Sequence, residues 1–223
     1  MKKAITLAMG IAASAVAGSA AAGPISSPVS LGDLITTGGS VLVGDKLFSN
    51  FDYVGNGDMP DASAVMVAEL VDGGGNYGIQ FQGAFQDLAG GGASDALITF
   101  DVTVLDPSFQ ISSVLLAGDL AVVNGSGGGS FGGVTETFLP GNVSDTLSIF
   151  TGTAGTQLSD LVTFAQPVST LSVQKDIILF AQDGDADAVT LSTIDQSFEQ
   201  IPEPGSLALL GLGALAMFHR RRD

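Results

Sequence analysis

The chain has no cysteine and no tryptophan, and its one histidine, His219, sits among the C-terminal arginines. Each absence removes a class of chemistry. Without cysteine there is no disulfide framework, no thiol nucleophile and no thiolate zinc site, so an exported fold would have to rest on burial alone. Without a histidine in the body, no imidazole can activate a serine. Gly128-Gly-Ser130-Phe-Gly132 matches the G-x-S-x-G elbow but has no base. Gly127-Gly-Gly129-Ser-Phe-Gly132 matches G-x-G-x-x-G, yet the alternating VTETFL follows where a helix would have to open. These glycines read as a loop. Carboxylate chemistry is what remains, and a glycosidase built on it needs only two acids. The tyrosines are just Tyr53 and Tyr77, a thin supply for a glycan cleft, and the chain is expected not to be an enzyme.

Positive charge is nearly missing as well. Of seven basic residues, Lys2, Lys3 and Arg220 to Arg222 lie at the ends. Residues 23–201 keep only Lys46 and Lys175 against 21 of the 23 acids, a net charge near −19. Such a body repels phosphate backbones, which excludes nucleic acid as a partner. It suits cations, neutral glycans and solubility.

What is present begins with an export signal. Met1-Lys2-Lys3 is a positive start, Ala4 to Ala17 is apolar, and Gly18-Ser-Ala-Ala-Ala22 is a small-residue cleavage track. Residues 1–22 are read as a signal peptide for signal peptidase. Residues 23–200 are read as one domain, and 201–223 as a separate C-terminal segment.

The body reads as strands and turns. In YGIQFQGAF, Tyr77, Ile79, Phe81 and Phe85 fall on one face and Gln80 and Gln82 on the other. DALITFDVTVL repeats the pattern with Ala96, Ile98, Phe100, Val102 and Val104. Shorter runs predict strands at Ser40–Val43, Lys46–Tyr53, Ala64–Leu70, Ile111–Ala117, Val134–Leu139, Leu147–Phe150, Leu161–Phe164, Leu171–Gln174, Ile177–Ala181 and Val189–Ser197. VDGGGNYG, LAGGGAS and NGSGGGSFGG supply the reversals. The predicted fold is all-β, an antiparallel β-sandwich of jelly-roll type, flanked by an N-terminal signal helix and a C-terminal hydrophobic helix. An immunoglobulin-like sandwich fits less well, since its cysteine pair and core tryptophan are both missing.

One acidic cluster has cation-ligand spacing. Asp183, Asp185 and Asp187 alternate in a loop and could converge on Ca²⁺. An EF-hand would need glycine and a bidentate acid where Ala188 and Ile194 stand, so the alternatives are a non-EF-hand calcium site or a solvated turn. Asp58 and Asp61 form a second candidate loop. Asn124-Gly-Ser126 and Asn142-Val-Ser144 match the glycosylation triplet. Thr99/Thr103 and Thr135/Thr137 are isolated pairs, not the regular array of a flat ice-binding face.

The tail, IPEPGSLALLGLGALAMFHRRRD, is uncharged from Gly205 to Phe218. At ~1.5 Å per residue this run reaches ~21 Å of a ~30 Å hydrocarbon layer. It is apolar all round, follows a proline pair that sets it off from the body, and is stopped by Arg220, Arg221 and Arg222. Leu207 to Phe218 is therefore expected to be a transient transmembrane helix. Pro202-Glu203-Pro204, the apolar run and the arginines together resemble the PEP-CTERM sorting signal, also catalogued as the ice-binding protein C-terminal domain. The resemblance implies a Gram-negative exported protein. Pro202, Glu203 and Pro204 would be the motif read by an exosortase, and an inner-membrane intermediate would precede delivery to the cell surface or extracellular matrix. Exopolysaccharide or biofilm is the implied setting. The expected function is that of a non-enzymatic surface or matrix protein with no cofactor. A calcium-dependent glycan-binding module using the three aspartates is the alternative, followed by a carboxylate-only glycosidase.

Overall fold

A computed structural model describes residues 28–125, 128–139, 145–203 and 205. The signal peptide, Pro204, the apolar run Leu207–Phe218, Arg220 to Arg222 and the Asn142 triplet lie outside the described residues. The elements run β1 (Val29–Ser30), α1 (Leu31–Thr37), β2 (Val41–Val43), β3 (Lys46–Asn56), a 3-10 turn (Ala62–Ala64), β4 (Met66–Val71), β5 (Tyr77–Leu88) and β6 (Ser94–Val104). They continue with β7 (Phe109–Gly118), β8 (Ala121–Val123), β9 (Phe131–Leu139), β10 (Thr146–Gly152), β11 (Gly155–Gln157), β12 (Ser159–Val168), β13 (Thr170–Phe180) and β14 (Ala188–Pro202).

These strands form two seven-stranded antiparallel sheets, the sandwich expected from the alternation. One has the order β1-β4-β5-β14-β7-β12, with β8 pairing the start of β14; the other is β11-β10-β9-β13-β6-β3-β2. In β6, Ala96, Ile98, Phe100, Val102 and Val104 point inward while Thr99, Asp101 and Thr103 face out. The core is held by phenylalanines from both layers. Phe100 lies 6.2 Å from Phe48, 5.9 Å from Phe51 and 5.7 Å from Phe81, and Phe48 lies 5.8 Å from Phe198. Offset, tilted rings fill a sandwich core densely and add to the burial of their faces.

Three features differ from the pattern in the sequence. Helix α1 buries only Leu31 and Leu34, too few positions to register as an apolar stripe. It stops at Gly38, whose φ of 62° suits a residue without Cβ. β13 is continuous across Gln174-Lys-Asp176, where the charges predict a break. β14 runs two residues past the boundary placed at 200: Ile201 pairs with Gln110 and Pro202 with Phe109. β12 carries Pro167, which its edge position tolerates.

The break in β13 is absent because Lys175 is inside. It lies opposite Glu136 of β9, and both are 0 % exposed. Its amine contacts Glu136 Oε2 and, across the sandwich, Gln196 Oε1 of β14. Lys46 is buried at 1 %, 2.9 Å from Gln200 Oε1 and 3.2 Å from Asp45 Oδ1. Among the described residues every other charged side chain is a carboxylate, so no cation is left at the surface. Phe100→Ala is expected to lower unfolding stability by about 3–5 kcal/mol, measured by urea denaturation, because it opens a cavity at the meeting point of three rings.

Candidate functional site

The sandwich has two unlike poles. β3, β5, β10 and β13 end at one, where β6, β9 and β14 begin: Leu88 pairs with Ala188, Leu179 with Ser94, and Phe131 with both Gly152 and Phe180. Among the described residues this loop pole collects 57–61, 89–93, 124–125, 128–130, 153–154 and 181–187. At the opposite pole lie the β2–β3 and β4–β5 turns and the end of β14, where the tail departs.

Aspartates stitch the loop pole together. Asp185 accepts the backbone N–H groups of Gly128 (2.6 Å), Gly129 (3.2 Å) and Ser130 (3.1 Å). With the Ser130 hydroxyl and these amides on it, its carboxyl is held well below the usual range. Gln182 N–H donates to Ser130 Oγ at 3.0 Å. Asp187 accepts Asn124 Nδ2 at 2.6 Å, so the Asn124 acceptor amide is engaged, at a φ of 53°. Asp58 Oδ2 accepts Leu88 N–H at 2.9 Å. Asp87, buried, accepts Ser94 Oγ at 2.6 Å and Ala181 N–H at 2.7 Å. Tyr53 donates to the Pro60 carbonyl at 2.8 Å, and burial beside Asp61 pushes its phenol up to about 12. These groups do with carboxylates and amides what a glycine-rich loop cluster cannot do by packing.

The structure does not bring the three aspartates of the expected calcium site together. Asp183 is exposed, Asp185 turns inward onto the 128–130 backbone, and Asp187 faces outward onto Asn124. Among the described residues no group of three or more acidic or imidazole side chains is gathered as a metal would require. Asp58 is likewise committed to loop amides, while Asp61 opens the 3-10 turn.

Beside these loops, the outer face of the β9–β10–β13 sheet carries an apolar groove of ≈ 370 Å³ walled by Phe131, Phe150, Thr151 and Thr153, with Gly132 and Gly133 beneath. Phe131 is 40 % and Phe150 36 % exposed, and Ile178, opposite Gly133, is 41 % exposed. A Cβ on Gly133 would touch only the Ile149 carbonyl and Phe150, so its absence deepens the floor. Phe180 backs Phe131 at 5.8 Å. A smaller hollow of ≈ 180 Å³ adjoins it through Thr151, Gly152 and Thr153 and reaches Ser130 and Asp185. Further along the same face, Asn50 donates to Asp101 at 2.7 Å and Ser172 also hydrogen-bonds Asp101, at the edge of a ≈ 170 Å³ hollow with Thr99 and Gln174. The separate threonine pairs come together on this face, where Thr99, Gln174, Thr137 and Thr146 align across four strands, interrupted by Asp101 and Asp176.

Of the groove residues, the sequence singled out only Gly129, Phe131 and Gly132, as parts of glycine motifs read as a loop. The available signal was parity: Phe150 is out of step with Leu147 and Ile149, so it must face water. At the other pole the first two sorting residues, Pro202 and Glu203, are tied to the sheet. Pro202 closes β14, Glu203 N–H donates to the Ser108 carbonyl at 2.8 Å, and Gln110 Nε2 donates to Glu203 Oε1 at 3.1 Å. The first proline of the pair therefore belongs to the last strand of the domain. Among the described residues no helix is long and apolar enough to cross a membrane.

Removing Asp185 is expected to loosen the pole without unfolding the sandwich. Its lowered carboxyl contributes stability in full above the unfolded value of ~4 and loses it as pH falls through the folded value. By hydrogen exchange, wild-type amides 128–130 should stay protected below pH ~4, whereas Asp185→Ala should expose them at neutral pH.

A structure of TmCBM61 in complex with beta-1,4-galactotriose is 11% identical, over 68% of this chain and 88% of that one, at a TM-score of 0.29. The xylan-binding module CBM15 is 14% identical, over 71% and 94%, at 0.29. The enzymatically active domain of Bacteriophage CBA120 tailspike protein 4 is 10% identical, over 67% of this chain and 19% of that one, at 0.29. No curated protein matches the sequence. Residues 200–222 match the family model of the PEP-CTERM protein-sorting motif. The chain is an exported protein that carries a PEP-CTERM sorting motif, rooted in the last strand of a two-sheet β-sandwich.

Proposed function

We propose that this is a non-enzymatic surface or extracellular-matrix protein, processed by an exosortase at its tail, which presents the loop-pole groove to neutral polysaccharide of the surrounding exopolysaccharide or biofilm. The observation that carries the reading is the placement of groove and sorting motif at opposite ends of one rigid sandwich. A domain held or delivered by its tail directs the groove away from the membrane. Exposed phenylalanine faces over a glycine floor suit the flat apolar face of a sugar ring, and the exposed Thr153 offers a hydroxyl at the rim. The surface charge selects among polymers. With both cations buried, the described surface repels polyanionic glycans and leaves neutral or amine-bearing ones as partners.

No metal or cofactor enters this reading. The loop-pole carboxylates Asp58, Asp87, Asp185 and Asp187 are spent on amides and hydroxyls, which supports binding over hydrolysis.

Two outcomes follow. Replacing Pro202, Glu203 and Pro204 by alanine is expected to abolish tail removal and surface delivery in an exosortase-bearing host, followed by mass spectrometry and cell fractionation; unchanged processing would overturn the sorting half of the proposal. Phe131→Ala is expected to weaken retention on a neutral polysaccharide gel by about 1 kcal/mol, roughly fivefold in Kd, with polymer size and chelator making no difference. Equal retention of the variant, or shortening of the polymer, would overturn the binding half.

A further inference from the structure

Three side chains with matched acyl-transfer chemistry meet between the sheets, and neither sorting nor glycan contact uses them. Lys175 of β13, Glu136 of β9 and Gln196 of β14 are each 0 % exposed. The amine of Lys175 contacts Glu136 Oε2 on its own sheet and Gln196 Oε1 on the other. Gln196 Nε2 donates to the Leu115 carbonyl at 3.1 Å. The ring of Phe100 lies 6.0 Å from Nζ, and the walls are the phenylalanine core.

A plain ion pair accounts for this cluster poorly. An ammonium has three N–H donors, and two acceptors are in reach here. Glu136 Oε1 makes no hydrogen bond, the one such buried side-chain atom among the described residues. Buried ion pairs are favourable only when the remaining donors and lone pairs are satisfied. Burial moves both partners toward their neutral forms, lowering Lys175 and raising Glu136. A neutral amine against an amide carbonyl, with a carboxylic acid touching the amine, is a nucleophile, an acyl donor and a proton shuttle in one dry site.

We propose that Lys175 and Gln196 are joined by an intramolecular isopeptide bond, formed by the chain itself with Glu136 as the proton-transfer residue. The Nζ lone pair attacks Cδ of Gln196 while the Glu136 acid protonates the amide. Glu136 then takes a proton from Nζ as the tetrahedral intermediate forms. Collapse breaks the Cδ–Nε2 bond as Glu136 passes this proton to the leaving nitrogen, ammonia departs, and the oxygen of the new amide returns the first proton to Glu136. One amide is consumed and one is made, with no change in oxidation state and no co-reactant. The fold supplies the orientation that makes an otherwise very slow aminolysis feasible.

The bond would tie β13 of one sheet to β14 of the other, one of the jobs disulfides do in exported proteins, in a chain that has no cysteine. β14 is also the strand that ends in the sorting motif, so the cross-link would lie between the tail and the rest of the domain. A built-in comparison exists at Lys46. It meets Gln200 of β14 and Asp45 in the same sense, but the Asp45 side chain is 24 % exposed, so water competes for the acid. That lysine is expected to stay free.

The test is the intact mass and tryptic map of the full chain purified after export from its host. Lys46 and Lys175 are the only tryptic sites in residues 23–201. The expected result is a mass about 17 Da below that of the mature sequence, from loss of one ammonia. After denaturation, trypsin should cut at Lys46 and fail at Lys175, and fragmentation should place the link between Lys175 and Gln196. Glu136→Gln should restore both the sequence mass and cleavage at Lys175. The proposal is overturned by an unmodified mass with cleavage after Lys175. It is equally overturned by a loss of about 18 Da mapped to Glu136, which is direct condensation on the acid, or by an ammonia loss mapped to an asparagine. Should Glu136→Gln fail to accumulate, the wild-type map decides alone.

Discussion

The contact of Lys175 with Glu136 and Gln196 between the sheets sets terms that the rest of the molecule follows. A lysine amine in a phenylalanine core requires an acid from its own sheet and an amide from the other, so it specifies how the layers face each other as apolar packing alone would not. Lys46 repeats the arrangement nearer the tail pole, again on β14. Because these are the only two cations among the described residues, sequestering them also decides the surface. What water sees is carboxylate, amide and hydroxyl, with exposed apolar side chains between them.

An all-acidic surface on a glycine-rich scaffold raises the question of how the loops hold their shape. The answer is that much of the acid is structural. Asp185, Asp187, Asp58 and Asp87 accept backbone and side-chain donors from segments far apart in sequence, and so convert charge that would repel into hydrogen bonds that order the pole. The groove beside them inherits this order. Its walls come from β9 and β10, its neighbours from β13, and its rim from loops held by these carboxylates.

Much of the fold could be read from alternation. β5, β6 and β9 follow the apolar-polar period closely, and even the buried charges obey it: Glu136 is in step with Val134 and Phe138, Lys175 with Val173 and Ile177, Gln196 with Ile194 and Phe198. Treating charge as a strand breaker hid this, and split β13 at the residue that matters most. The metal-like spacing of Asp183, Asp185 and Asp187 misled for the converse reason. Spacing along a loop says nothing of which donors the fold brings, and Asp185 found three amides.

The sequence by itself determined the sorting motif, the all-β class and the facing of most strands, because each is a local pattern whose period or order survives without a fold. It also determined the exclusions, since a residue type that is absent cannot be supplied by folding. Only the tertiary structure decided that both lysines are inside, that the loop-pole aspartates are hydrogen-bond hubs, that Pro202 belongs to a strand, and that Phe131 and Phe150 wall one groove. Those outcomes depend on which strands become neighbours. β9, β10 and β13 adjoin through pairings that no local period encodes, because closing distant segments into one sheet is a property of the whole chain's burial rather than of any stretch of it.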